Sequence, residues 1–122
     1  MKSYESEEMY LETILVLKEK MPSVHSVNIA EELNYSRPSV SRAVNLLQKK
    51  AYIEINKSGE ISFTKEGLER ATNIYERHQV VTELLSMIGA DKELAEDNAC
   101  RIEHVISEEL FSVMKNFLKK RV

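Results

Sequence analysis
The sequence predicts a mainly α fold: a winged helix-turn-helix with a two-stranded wing over residues 1–70, followed by a helical domain over residues 71–122. Three observations carry this. With three Gly and two Pro in 122 residues there are few places to turn, so long helices dominate. Two short amphipathic segments meet at the three-residue turn Asn34-Tyr35-Ser36. Directly after them, Ile53/Ile55 and Ile61/Phe63 alternate around Asn56-Lys57-Ser58-Gly59, the pattern of a β-hairpin.

Taken in order, the first helix spans about Glu5 to Lys20, with Met9, Tyr10, Ile14, Leu15 and Leu17 at helical spacing. Ser3 or Ser6 can cap it, and Met21-Pro22 ends it. A second, about Ser26 to Leu33, turns Val27, Ile29, Ala30 and Leu33 inward. A third, about Arg37 to Lys50, has Ser36 as N-cap and Pro38 in its first turn, where a missing N–H does little harm. Its apolar stripe is Val40, Ala43, Val44, Leu46 and Leu47. After the hairpin, Thr64 caps a long helix to about Ile88, which Gly89-Ala90-Asp91 breaks. Two further helices are expected over about Lys92–Ile106 and Ser107–Arg121, with Ser107 capping the second. There is neither an internal repeat nor a low-complexity linker.

Composition narrows the function. Hydrophobic content of 43% with 30% charged residues belongs to a soluble globular chain the size of one domain, or of two small ones sharing a core. No apolar run approaches the roughly 18–20 residues a bilayer span needs, and the N-terminus has no signal-peptide profile. A single cysteine cannot form an internal disulfide, which fits the cytoplasm. The formal net charge of −3 argues against a protein that coats nucleic acid indiscriminately. Charge is unevenly spread, however. Between Ser36 and Lys65 the six cations Arg37, Arg42, Lys49, Lys50, Lys57 and Lys65 face only Glu54 and Glu60, a local +4, so the remainder carries −7.

That basic stretch coincides with the second helix of the helix-turn-helix, the one that enters the major groove. Opposite its apolar stripe lie Arg37, Ser39, Ser41, Arg42 and Asn45, residue types that hydrogen-bond base edges and phosphates. Lys57 at the wing tip can put a cation on adjacent backbone. Winged helices also dock proteins, with charges that are merely solvated; the +4 stretch favours double-stranded DNA.

A second constellation sits in the helical domain. On a helix, Cys100, Glu103 and His104 stand at i, i+3 and i+4 and project from one face. Thiolate, carboxylate and imidazole together make a first-row transition-metal donor set. Met9 and Glu12, three apart, and His78 add candidates on other helices. Such mixed hardness suits Fe(II), Mn(II) or Co(II) better than Mg or Ca, which prefer oxygen. Taken singly, each has a plainer reading: Met9 and Cys100 as core, His78 as a surface histidine, Glu103 with His104 as a solvated pair.

Six segments in chain order resemble one family: Glu8-Met9-Tyr10-Leu11-Glu12-Thr13-Ile14, Ile29-Ala30-Glu31-Glu32-Leu33, Ser39-Val40-Ser41, Thr64-Lys65-Glu66-Gly67, Glu76-Arg77-His78 and Ala99-Cys100-Arg101-Ile102-Glu103-His104-Val105-Ile106-Ser107. The family is that of the diphtheria-toxin repressors, metal-activated bacterial transcriptional repressors that include the manganese-transport regulators. The resemblance implies a winged-helix domain followed by a helical metal-binding and dimerisation domain. By position, Met9, Cys100, Glu103 and His104 match the primary ligands of the iron-type branch. Glu12 and His78 match ligands of the manganese-type branch, which has carboxylates at the places of Met9 and Cys100. Where the family often has a carboxylate four residues after His78, this chain has Thr82, with Glu83 one place off. With Val122 as the last residue, the expectation is the short, manganese-type architecture, without the SH3-like third domain of longer iron-type members.

The expectation is a cytoplasmic homodimeric repressor of metal-ion uptake, with no membrane partner and no enzymatic activity. Mn2+ or Fe2+ (Co2+ or Zn2+ in vitro) would promote operator binding, and dimer contacts would come from Leu94, Val105, Ile106, Leu110, Phe111 and Val113. Two other classes stand beside it. One is a winged-helix regulator of an organic ligand or of redox state, with Cys100, near Arg101 and His104, as a thiol switch. The other, a small metal-dependent hydrolase, lacks any Gly-rich loop or second acid pair.

Overall fold
The structure is a computed structural model that describes residues 6–120, in the order α1 (Glu7–Lys20), α2 (Ser26–Leu33), α3 (Arg37–Lys49), β1 (Ile53–Ile55), β2 (Ile61–Phe63), α4 (Lys65–Met87), α5 (Lys92–Ile102) and α6 (Glu108–Lys120). The chain separates into two compact units, one up to Thr72 and one from Asn73, the division falling within α4. Of the two serines that can cap the first helix, Ser6 does so, its Oγ accepting from Met9 N–H at 3.1 Å; Ser3 lies outside the described residues.

In the first unit each helix boundary follows local chemistry. Helix α1 buries Met9, Tyr10, Leu11, Ile14 and Leu17 and stops at Met21, in extended backbone before Pro22. Helix α2 ends at Asn34 in the left-handed region (φ 58°), which Asn tolerates and which reverses the chain toward Tyr35 and Ser36. Ser36 Oγ then accepts from Ser39 N–H, and Pro38 occupies the first turn of α3. Val40, Val44 and Leu47 of α3 are buried, but Leu46, expected in that stripe, is 50% exposed. It lines an open cleft with Glu7 and Tyr10 of α1 and with Arg42 and Ala43 of α3. The wing is antiparallel, with Ile53 opposite Phe63 and Ile55 opposite Ile61. Two bonds attach it to the rest of the unit: Ile61 N–H donates to Val24 O at 2.8 Å, and Lys18 Nζ donates to Ile61 O at 2.9 Å. The core runs from Met9 through Val24, Ile29, Val40 and Val44 to Ile53, Ile61 and Ala71.

Helix α4 opens on Thr64, whose Oγ1 accepts from Gly67 N–H and donates to Ala51 O at 2.7 Å. Gly67 stands inside a helix for a steric reason: a Cβ there would lie 1.8 Å from Tyr52 O. In the second unit α4, α5 and α6 bury Ile74, Val80, Val81, Ala95, Ala99 and Phe111, together with two charged residues, Arg77 and Glu103.

Two expectations for this unit change. Helix α5 stops at Ile102 rather than Ile106. Glu103 keeps right-handed helical backbone and its N–H still reaches Ala99 O, but the next bond is the tighter Val105 N–H to Ile102 O. A turn over 103–106 follows, and Ser107 caps α6, its Oγ accepting from Leu110 N–H at 3.1 Å. Phe111 is 4% exposed within the protomer and belongs to the core, not to an outer face.

Candidate metal centre and nucleic-acid face
Three donors from two helices converge in the second unit. His78 comes from the middle of α4, Cys100 from the last turn of α5, and Glu103 from the residue that closes α5. His78 Nδ1 lies 2.8 Å from Glu103 Oε2 and 4.0 Å from Cys100 Sγ, and the three ligand atoms are all within 4.8 Å of one another. His104 Nε2 is 3.4 Å from the other carboxylate oxygen, Glu103 Oε1. Cys100 and Glu103, expected at i and i+3 of one helix, come together here with Glu103 as the residue that closes α5. His104 reaches the group from the turn rather than from a continuing helix.

Which chemistry the group supports follows from its connectivity. Thiol and carboxylate both approach the same imidazole nitrogen. A nucleophile–base–orienting-acid relay needs one partner on each nitrogen, so this is not a catalytic triad. Donors converging on one point form a chelate. Donors about 2.0–2.3 Å from one first-row ion cannot be more than roughly 4.6 Å apart, which the Sγ–Nδ1 and Nδ1–Oε2 separations satisfy.

Glu103 supplies the fit test. Its side chain is 1% exposed, and Oε1 makes no hydrogen bond. A buried carboxylate costs several kcal/mol unless paired and hydrogen-bonded, and His78 and His104 offset that only in part. Thiolate, imidazole and carboxylate fit a borderline-soft divalent ion that would satisfy the orphaned oxygen. His78 is thus half-buried among ligand-type side chains rather than on the surface. Thr82, one turn further along α4, also has a buried hydroxyl without a hydrogen bond.

Met9 and Glu12 belong to the first unit, on α1. Met9 is 8% exposed, with Tyr35 Oη 4.0 Å from its Sδ, and Glu12 is half-buried.

The outer face of α3 carries the other constellation. Arg37, Ser41, Arg42 and Asn45 are exposed and Ser39 is half-exposed. Ser36 Oγ donates to Ser39 Oγ at 2.9 Å and Arg42 Nη2 donates to the same oxygen at 3.4 Å, so the cap pre-positions Arg42. At the wing tip Asn56 Oδ1 accepts from Ser58 N–H and Glu60 N–H, at 3.0 and 2.9 Å, which ties the loop and leaves Lys57 exposed. Not every cation of the basic stretch stands on this face, because Lys50 pairs with Glu7, a carboxylate that also pairs with Arg70.

Sequence reasoning missed Arg77. An arginine on an amphipathic helix reads as solvated, yet this one is buried against the turn that follows Glu103. Its only sequence signal is its place beside His78.

Residues 3–61 match the family model described as the iron dependent repressor N-terminal DNA binding domain. Residues 64–121 match that of the iron dependent repressor metal binding and dimerisation domain. An uncharacterised HTH-type transcriptional regulator of Methanocaldococcus jannaschii, MJ0568, is 30% identical over 118 residues, 95% of this chain and 94% of that protein. The diphtheria toxin repressor of Corynebacterium diphtheriae is 34% identical over 113 residues, 92% of this chain but 50% of the repressor, so the chain spans about half the length of that relative. Among solved structures, the manganese regulator SloR superposes with a TM-score of 0.83 at 25% identity, over 95% of this chain and 54% of its own. T. acidophilum IdeR gives 0.83 at 27%, over 98% and 56%. Proteins of this kind are transcriptional repressors and not enzymes. The chain belongs to the iron-dependent, diphtheria-toxin-repressor family, with a winged-helix DNA-binding domain followed by a helical metal-binding and dimerisation domain.

Proposed function
We propose that this chain is a cytoplasmic, metal-activated repressor of metal-ion uptake genes that binds its operator as a homodimer. The observation that carries the reading is the convergence of His78, Cys100 and Glu103 on one point, with the second carboxylate oxygen of Glu103 buried and without a hydrogen bond. No described helix is long and apolar enough to cross a membrane, and the family is one of DNA-binding proteins.

In this reading His78, Cys100, Glu103 and His104 hold the ion, and Met9 and Glu12 remain the further candidates that the sequence offers. A bound divalent cation supplies the positive charge that Glu103 Oε1 lacks. The mixed donor set suits Mn2+ or Fe2+, with Co2+ or Zn2+ as substitutes in vitro. The residues do the rest. Arg37, Ser39, Ser41, Arg42 and Asn45 read base edges and phosphates in the major groove, and Lys57 meets adjacent backbone. The exposed apolar side chains Leu94, Val105, Leu110 and Val113 supply a face for a second copy. A dimer so joined places two α3 helices against half-sites one or more DNA turns apart, each turn about 34–36 Å. Metal and operator would then bind with reciprocal coupling of about 1–3 kcal/mol.

The test is selection of bound duplexes from a random-sequence pool, with Mn(II), with anaerobic Fe(II) and with chelator. Enrichment of one pseudo-palindromic site with metal alone supports the reading; equal enrichment with chelator contradicts it.

A further inference from the structure
Helix α5 ends with its last polar groups in a turn, and one guanidinium takes them up. Arg77 Nη1 donates to Glu103 O at 3.1 Å and to Ile106 O at 2.8 Å, the two ends of the segment that contains His104. Nη2 pairs with Glu108 Oε1 at the start of α6, and the guanidinium carbon lies 5.4 Å from the centre of the Phe111 ring. Arg77 is 8% exposed, and its Nε has no hydrogen bond. Burying an arginine this way is costly unless its geometry does something a hydrophobic side chain could not. The planar fork with fixed donors offers that, because it bonds two carbonyls and a carboxylate at once, which a lysine cannot do in the same plane.

Within the turn Glu103 N–H reaches Ala99 O and Val105 N–H reaches Ile102 O, and the Glu103 and Ile106 carbonyls both accept from Arg77. The peptide of Glu103 sets the direction of its buried carboxylate, and the turn sets where His104 Nε2 stands, 3.4 Å from that carboxylate. Arg77 also precedes His78 on α4, so the residue that fixes one side of the cluster is bonded to the next residue that forms the other.

We propose that Arg77 is the positioning residue of the metal centre: its two bonds to the Glu103 and Ile106 carbonyls hold Glu103 and His104 in the orientation that binds the ion. The inference rests on the metal reading above. Glu108 is the internal comparison, since its side chain is 71% exposed and its pairing touches α6 rather than the turn.

The experiment titrates the full chain with Co(II), following thiolate-to-cobalt charge-transfer absorption from Cys100 and the cobalt d–d bands. The variants are Arg77→Lys, Arg77→Met and Glu108→Gln, with the melting temperature of each metal-free protein as a fold control. Partners that orient ligands are typically worth 10- to 100-fold in metal affinity. Arg77→Lys should therefore stay folded, bind Co(II) at least tenfold more weakly and shift the d–d bands, while Glu108→Gln stays near wild type. Should Arg77→Met fail to fold, Arg77→Lys decides. Wild-type affinity and spectrum in folded Arg77→Lys would overturn the proposal. So would an equal loss in Glu108→Gln, which would assign the effect to the ion pair. If the wild type itself gives no charge-transfer band, the metal reading fails, and this inference with it.

Discussion

His78 and Glu103, 25 residues apart in sequence, meet at 2.8 Å between Nδ1 and Oε2, and Cys100 Sγ approaches the same nitrogen at 4.0 Å. Helix α4 and the end of α5 thus bring three ligand types to one point. Cys100→Ser keeps the size of the side chain nearly unchanged and replaces a soft donor by a hard, weak one. It should abolish thiolate-to-cobalt charge transfer and weaken Mn(II) less than Co(II). Operator binding that remains metal-dependent and becomes insensitive to oxidant fits the metal reading. An oxidant response in metal-free wild type, lost in Cys100→Ser, would instead favour a thiol switch.

Arg42 sits on the outer face of α3, held by Ser39. Arg42→Ala should weaken operator binding by about 1–3 kcal/mol at saturating metal, through loss of a base or phosphate contact. Metal affinity should not change. Fluorescence anisotropy with a labelled duplex measures the first quantity and calorimetric metal titration the second; a parallel fall in both would contradict the division of roles.

Lys57 is exposed on the wing tip, and the proposed reading has it meet DNA backbone rather than bases. Lys57→Ala should lower affinity for all duplexes alike and reduce the slope of log affinity against log salt by about 1. An unchanged slope would remove Lys57 from the DNA contact.

Gly67 has no room for a methyl group, because its Cβ would overlap Tyr52 O. Gly67→Ala should destabilise the first unit by about 1–3 kcal/mol, the usual range for overpacking. This is the reverse of the gain expected for Gly→Ala inside a helix. Thermal denaturation followed by circular dichroism reads it, and a raised melting temperature would contradict the close approach.

Val113 is 63% exposed on α6, in line with Leu110 one turn earlier. Val113→Lys should shift the chain from dimer toward monomer in sedimentation equilibrium, with operator affinity falling alongside. A variant that stays dimeric would move the interface elsewhere.

The first half of the chain was legible because its punctuation is local. Ser6, Ser36 and Thr64 cap the helices that they precede, Pro22 follows the end of α1, and the Ile53/Ile55 and Ile61/Phe63 alternation set the wing. What failed was non-local. Periodicity carried α5 to Ile106, but the chain turns after Ile102, where carbonyls more than twenty residues from Arg77 find its guanidinium. Leu46 fits an apolar stripe in sequence yet is half-exposed, since only the packing of α1 and α2 defines how wide the buried arc of α3 is. At the candidate site, spacing suggested Cys100 with Glu103 and His104, and named His78 as a candidate on another helix. That His78 meets Cys100 and Glu103 depends on how α4 and α5 pack, which no local pattern states.

In the proposed function metal binding and operator binding are one linked equilibrium acting through Glu103. The most direct measurement is operator affinity of wild type and Glu103→Gln, each with chelator and with Mn(II), anaerobic Fe(II), Co(II) and Zn(II) in turn. Metal should tighten wild-type binding by about 5- to 150-fold, and Glu103→Gln should lose both the tightening and most of its metal affinity. A variant that binds operator with wild-type metal dependence would contradict it.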